Sequence, residues 1–102
     1  MKLTEIGVAV NISGTSLIGT INTTYGTLVE KLGEPTYTGD IEDKVQAEWS
    51  LEFEDEETGE TIVASIYDWK NYEYGIQYGD YDWHIGGQDY RSLHAVQELL
   101  GL

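Results

Sequence analysis

Between Val45 and Glu54 the chain alternates without a break, with Val45, Ala47, Trp49, Leu51 and Phe53 set against Gln46, Glu48, Ser50, Glu52 and Glu54. A period of two marks a strand buried on one face only. The pattern therefore predicts an apolar inner face and an acidic, wet outer one. Residues 55–60, Asp-Glu-Glu-Thr-Gly-Glu, form a hairpin connection, and Thr61 to Trp69 return as the partner strand. The phase of that return strand stays open: either Ile62, Ala64 and Ile66 face the core, or Val63, Tyr67 and Trp69 do.

Leu3, Ile6, Val8 and Val10 suggest a first strand with an irregular start, and Ser16 to Ile21 a second, joined by the turn-like Asn11-Ile12-Ser13-Gly14. The period then changes. Tyr25, Leu28, Val29 and Leu32 fall at i, i+3, i+4 and i+7, behind a capping Thr24 and ahead of Gly33 and Pro35, which predicts a helix. Gly26 weakens its first turn by about 1 kcal/mol relative to Ala. Residues 70–80 read as a long tyrosine-bearing loop. Tyr81, Trp83 and Ile85 alternate with Asp82 and His84 as a last strand stopped by Gly86-Gly87, and Asp89 opens a C-terminal helix with Leu93, Val96 and Leu100 on one side. The expected fold is α+β, an antiparallel sheet of about four to five strands packed by two helices in the order β-β-α-β-β-β-α, with hairpin-type connections and no βαβ rhythm.

Length and composition narrow the classes. A chain of 102 residues that is 40% apolar makes one domain, residues 1–102, with a core of its own but no deep interdomain cleft. There is no Cys, hence no disulfide framework and no thiolate metal site. Apolar runs are only a few residues long, and Met1-Lys2 leads into Glu5 and a Gly-, Asn- and Thr-rich stretch, so neither a membrane span nor a secretory signal is expected. The expected compartment is the cytoplasm.

Charge changes the picture most. The formal net charge is −14, well beyond the roughly 2–8 of an ordinary small domain. Residues 1–39 carry three acids against Lys2 and Lys31; residues 40–102 carry sixteen against Lys44, Lys70 and Arg91. The acidic part also holds Trp49, Trp69, Trp83 and most of the tyrosines, so it folds and is no disordered acidic tail. Direct binding to nucleic acid is disfavoured, because phosphate contacts need a basic patch. A carboxylate array on a sheet can instead imitate nucleic-acid phosphates and occupy a partner's basic groove.

The candidate partner-binding residues are Glu48, Glu52, Glu54, Asp55, Glu56 and Glu57 for charge, with Tyr72, Tyr74, Tyr78, Asp82 and His84 as an aromatic, polar recognition patch. The plain alternative for the acids is a solvated strand end, and for Trp83 and Ile85 a core strand. No calcium loop fits Asp40 to Asp43 or Asp55 to Glu60, and His84 and His94 are too few for zinc. Ser16, Ser50, Ser65 and Ser92 lie in no nucleophile-elbow or lysine-dyad pattern, and no Gly loop with a Lys cradles phosphate. Neither enzyme activity nor a cofactor is expected.

The stretch from Gly19 to Thr36, followed by Trp49, Phe53 and the hairpin, resembles the small acidic hypothetical proteins carried by bacteriophages, over most of the chain. A helix ending in Leu-Gly-x-Pro before Trp-bearing antiparallel strands is also similar to the half-repeat of β-lactamase-inhibitor-like folds, for architecture alone. In charge and size the chain is also similar in general character to the small acidic proteins with which phages block host nucleic-acid-binding defences, and the expected function is a non-enzymatic inhibitor of a host defence or nucleic-acid-binding protein, of the anti-CRISPR or anti-restriction class. Two other readings stand beside it: a protein that sequesters a nucleotide signal in an aromatic pocket near Trp69, Trp83 and His84, and a soluble phage accessory or structural protein. A free edge strand can pair with a second copy, and a charged edge would oppose this.

Overall fold

The computed structural model describes residues 1–71 and 79–102. Along the chain run β1 (Lys2–Ile6), β2 (Ser16–Thr24), α1 (Tyr25–Leu32), β3 (Tyr37–Thr38), β4 (Ala47–Glu54), β5 (Thr61–Tyr67), β6 (Asp80–Gly87) and α2 (Tyr90–Leu100). The strands form one antiparallel sheet in the order β1-β4-β5-β6-β2, with the two-residue β3 pairing the start of β4. The fold is therefore α+β, with a short sixth strand, β3, that no alternation announces.

Both helices lie on one face. Thr24 caps α1 by accepting from Thr27 N–H, and Gly33 ends it at φ +83°; Asp89 caps α2 by accepting from Arg91 N–H. Leu28 and Leu32 of α1 and Ala95, Val96 and Leu100 of α2 join Trp49, Leu51, Phe53, Ile62, Ala64, Ile66, Trp83 and Ile85 in the core. Trp49 sits at the junction, 5.6 Å edge-on from Trp83 and 5.8 Å from Tyr25. Such aromatic pairs add about 0.5–1.5 kcal/mol each to simple burial. The two buried indoles find acceptors in the backbone carbonyls of Gly33 (2.9 Å) and Thr23 (3.1 Å).

The return strand takes the first of its two phases: Ile62, Ala64 and Ile66 are buried, opposite Phe53, Leu51 and Trp49. It stops at Tyr67, and Trp69 lies beyond it, exposed. Gly86 and Gly87 are the last two residues of the final strand, and neighbours leave no room for side chains on either. A Cβ on Gly87 would lie 2.5 Å from Ser92 Cβ, and one on Gly86 2.4 Å from Ser65 Oγ.

The first strand is shorter than Leu3 to Val10 suggests. β1 ends at Ile6, and Gly7 turns the chain at φ +129°. β1 and β2 occupy opposite sides of the sheet, so residues 7–15 have to cross it. They cross opposite the helices: Thr15 Oγ1 is 3.7 Å from where a Gly86 Cβ would stand, and Val10 is buried without joining the helix-side core. The face expected to be wet is thus closed in its middle, and Ser50 (5%) and Ser65 (3%) are buried there.

Candidate functional site

The face opposite the helices carries the outward residues of β4, namely Glu48, Ser50, Glu52 and Glu54. In register on β5 stand Tyr67, Ser65, Val63 and Thr61. Because the Ser50–Ser65 row is covered, the carboxylates divide into two groups.

The first group lies at the hairpin end. Glu52 and Glu54 stand on β4 beside Glu5 and Lys2 of β1. The chain then runs into Asp55, Glu56 and Glu57, where Asp55 accepts from Glu57 N–H (3.0 Å) and its own N–H bonds Glu60 O (2.9 Å). The turn is thereby fixed with its carboxylates outward; Glu54, Glu56 and Glu57 are exposed. Among the described residues the ion pairs take up Glu60 and Asp89, both with Arg91, and Glu98 with the N-terminus. Glu52, Glu54, Asp55, Glu56 and Glu57 enter none of them.

The second group lies at the other end. Glu48, Tyr67, His84 and Thr20 form one row across four strands. Tyr67 stacks on His84 with ring centroids 5.5 Å apart and planes at 22°. Glu48 is half-buried, and burial raises its pKa above the ordinary carboxylate value. Burial, and next the Glu48 charge, raise that of the Tyr67 phenol. Asp82 is exposed and accepts from Asn22 Nδ2 at 2.9 Å. Glu48, Asp82 and His84 are thus brought to one face, away from the hairpin acids. Tyr72, Tyr74 and Tyr78 lie outside the described residues.

Asp68, which no sequence pattern singles out, anchors this end. It is fully buried, and its Oδ1 accepts from Gln46 N–H (2.7 Å) and Ala47 N–H (3.0 Å), replacing ladder bonds where β5 leaves β4. Its Oδ2 and Nδ1 of His84 are buried with no hydrogen-bond partner among the described residues. Desolvation raises the Asp68 pKa, against the backbone N–H groups of Ala47, Gln46 and Asp68 itself and the nearby His84, which lower it. The signal that could have found it is an acid directly after an apolar strand and before Trp69.

Next to Asp68 two of the few basic residues converge. Lys44 Nζ and Lys70 Nζ lie 6.0 and 5.7 Å from the ring centroid of Trp69, which is 43% exposed. Lys70 holds φ +53°, unusual for a residue with a side chain, and its N–H bonds Lys44 O at 2.8 Å. Beside Lys44 opens a shallow groove of about 530 Å³ lined by Tyr37, Asp43, Lys44, Val45 and Glu48. Trp83 takes no part, being wholly buried in the core, so the pocket imagined around Trp69, Trp83 and His84 cannot include it.

Among the described residues no three His, Asp or Glu side chains come together as a metal-ligand set, and no helix is long and apolar enough to cross a membrane. No family model, curated protein or solved structure matches the chain.

Proposed function

We propose that the protein is a non-enzymatic inhibitor of the kind bacteriophages carry, which sets its hairpin-end carboxylates against the basic nucleic-acid groove of a host defence protein in the host cytoplasm. A CRISPR effector or a restriction enzyme is the sort of target meant. The observation that carries the reading is the patch of Glu5, Glu52, Glu54, Asp55, Glu56 and Glu57, on a rigid strand and a hydrogen-bonded turn and outside every ion pair among the described residues.

Spacing supports it. Alternate residues on a strand are about 7 Å apart, whereas one DNA strand presents a phosphate about every 3.4 Å of axis. One row of glutamates is too sparse by half. Glu5 on the neighbouring strand and the hairpin acids supply the remainder. Held on a folded sheet, these charges need no ordering when they bind, and they steer a basic partner in from solution.

The test is capture from a host lysate at low salt, followed by elution with rising salt. Reversing Glu52, Glu54 and Glu56 to Lys should abolish capture while the circular dichroism spectrum stays native. Capture of a nucleic-acid-binding protein that ignores both salt and charge reversal would sink the mimicry.

A second reading has its own observation. Trp69 with Lys44 and Lys70 is a cationic aromatic spot on an otherwise acidic molecule, and it suits an anionic ligand with a stacking ring, such as a nucleotide. Calorimetry with linear and cyclic nucleotides separates the two, since heat that Trp69→Ala removes belongs to this reading alone.

A further inference from the structure

From Ile6 to Val29 the chain has no charged residue, a run of 24 in a protein of net charge −14. The structure sets β2, Ser16–Thr24, within that run at the end of the sheet, with β6 on one side and, among the described residues, no strand on the other. From Gly19 to Thr24 it pairs residue for residue with β6, so it is straight there, the one register shift falling between Leu17 and Gly19. Alternate residues of such a strand turn N–H and C=O groups away from the sheet. Among the described residues no backbone hydrogen bond other than the β6 ladder reaches Leu17–Thr23, and the one side chain that reaches its backbone is the Trp83 indole on Thr23 O; Thr24 is the N-cap of α1.

The two sides of the sheet are treated differently. On the far side β1 is five residues long, breaks register between Leu3 and Glu5, and carries Lys2 and Glu5, while β3 is two residues long. Short strands, charge and bulges are the usual means of blocking edge-to-edge pairing. β2 has nine residues, no charge and no Pro, and Leu17 at its start is 56% exposed.

We propose that the free edge of β2 is a self-association surface, on which a second copy of this chain adds its own β2 antiparallel across a two-fold axis normal to the sheet. Charge selects the occupant. A basic partner would be drawn to the acidic patches; a second copy is repelled by them and meets no opposing carboxylate along Ser16–Thr24. The edge is also self-complementary, as a two-fold interface has to be. Thr20 and Asn22 lie on the face away from the helices, and Ile21 lies on the core side, so Thr and Asn meet their like and apolar meets apolar. The two helical layers then share one side of a continuous sheet and the two acidic faces the other.

Salt gives the association a sign of its own. Screening shortens the Debye length from about 30 Å at 0.01 M to about 3 Å at 1 M, so the dimer tightens with added salt, whereas a basic partner held by the carboxylates is released. The proposal therefore stands or falls independently of the inhibitor reading. Sedimentation equilibrium of the full chain is expected to give twice the single-chain mass, with dissociation weakening as salt rises. Leu17→Glu with Thr20→Glu places four carboxylates at the seam and should weaken the dimer by roughly tenfold or more; Thr38→Glu on β3 should leave it unchanged. In the unaltered chain, hydrogen exchange at β2 amides should slow as protein concentration rises. A single-chain mass at every salt concentration, a dimer that the double variant does not weaken, or β2 exchange independent of concentration would each overturn the proposal.

Discussion

Glu5 stands directly opposite Glu52 across the β1–β4 ladder, two carboxylates on one face where an opposite pair would stabilise the sheet. Thr4, at the register shift, donates its hydroxyl to Glu52 Oε2 (3.0 Å) and Glu52 O (3.2 Å) and so ties Glu52 down beside its like charge. The next pair outward is Lys2 with Glu54, the favourable arrangement that Glu5 and Glu52 forgo.

Relieving this repulsion should stabilise the fold. Glu5→Gln is expected to raise the unfolding free energy by about 0.2–1 kcal/mol, read as a higher urea midpoint with an unchanged slope. In the inhibitor reading the same variant binds its target more weakly. A midpoint that falls would show that the two carboxylates do not oppose each other.

Asp68 closes the β4–β5 ladder through one oxygen. Asp68→Ala leaves the N–H groups of Gln46 and Ala47 buried and unpaired, at about 1–3 kcal/mol each, a large part of the stability of a domain this size. Asp68→Asn keeps an acceptor in place and isolates the charge. With its pKa raised above the ordinary 3.8, the folded chain holds this proton to higher pH than the unfolded chain does. The stabilisation from protonation is present below 3.8 and is lost as pH rises through the folded value. Urea titrations at about pH 4 and about pH 7 should therefore show a smaller fall in stability for Asp68→Asn than for the natural chain. Parallel falls would mean that Asp68 does not carry the effect.

Helix α2 rests on glycine. Ser92 Oγ donates to Val63 O at 2.6 Å, and a Cβ on Gly87 would meet Ser92 Cβ at 2.5 Å and Ile18 Cδ1 at 2.9 Å. Gly87→Ala should push α2 off the sheet at a cost of about 1–3 kcal/mol. Gly19→Ala meets only the flexible end of Leu93, with the nearest approach 2.8 Å, and should cost less. Thermal unfolding of both variants gives the order, and the reverse order would refute the packing argument.

Lys70 is held in the left-handed region at φ +53°, which costs a residue with a Cβ roughly 1–2 kcal/mol. Lys70→Gly removes that strain and adds chain entropy to the unfolded state, so its stability should equal that of the natural chain or exceed it by up to about 1 kcal/mol. If Trp69 receives an anionic ligand, the same variant should lose binding heat in calorimetry. A loss of stability above that range would mean that the Lys70 side chain holds the turn itself.

The chain by itself determines its local elements and the location of its charge. Thr24 before Tyr25, Leu28 and Leu32 fixes α1, because capping and a 3.6-residue period are local. The alternation from Ala47 to Phe53 fixes which side of β4 is buried, because successive side chains point to opposite faces. Tertiary structure decides what depends on neighbours far along the chain. Ile62, Ala64 and Ile66 face inward because the ladder to β4 sets them opposite Phe53, Leu51 and Trp49, while Val63 and Tyr67 are apolar enough for either phase. Ser50 is buried because a connector runs from one side of the sheet to the other, which no alternation encodes. Asp68 is an acceptor for β4 because β5 leaves the sheet beside Gln46. The charge-free run becomes a free edge because, among the described residues, β2 pairs only with β6. Sequence spacing reports which residues share a face; strand order and crossover decide which of those faces meets water.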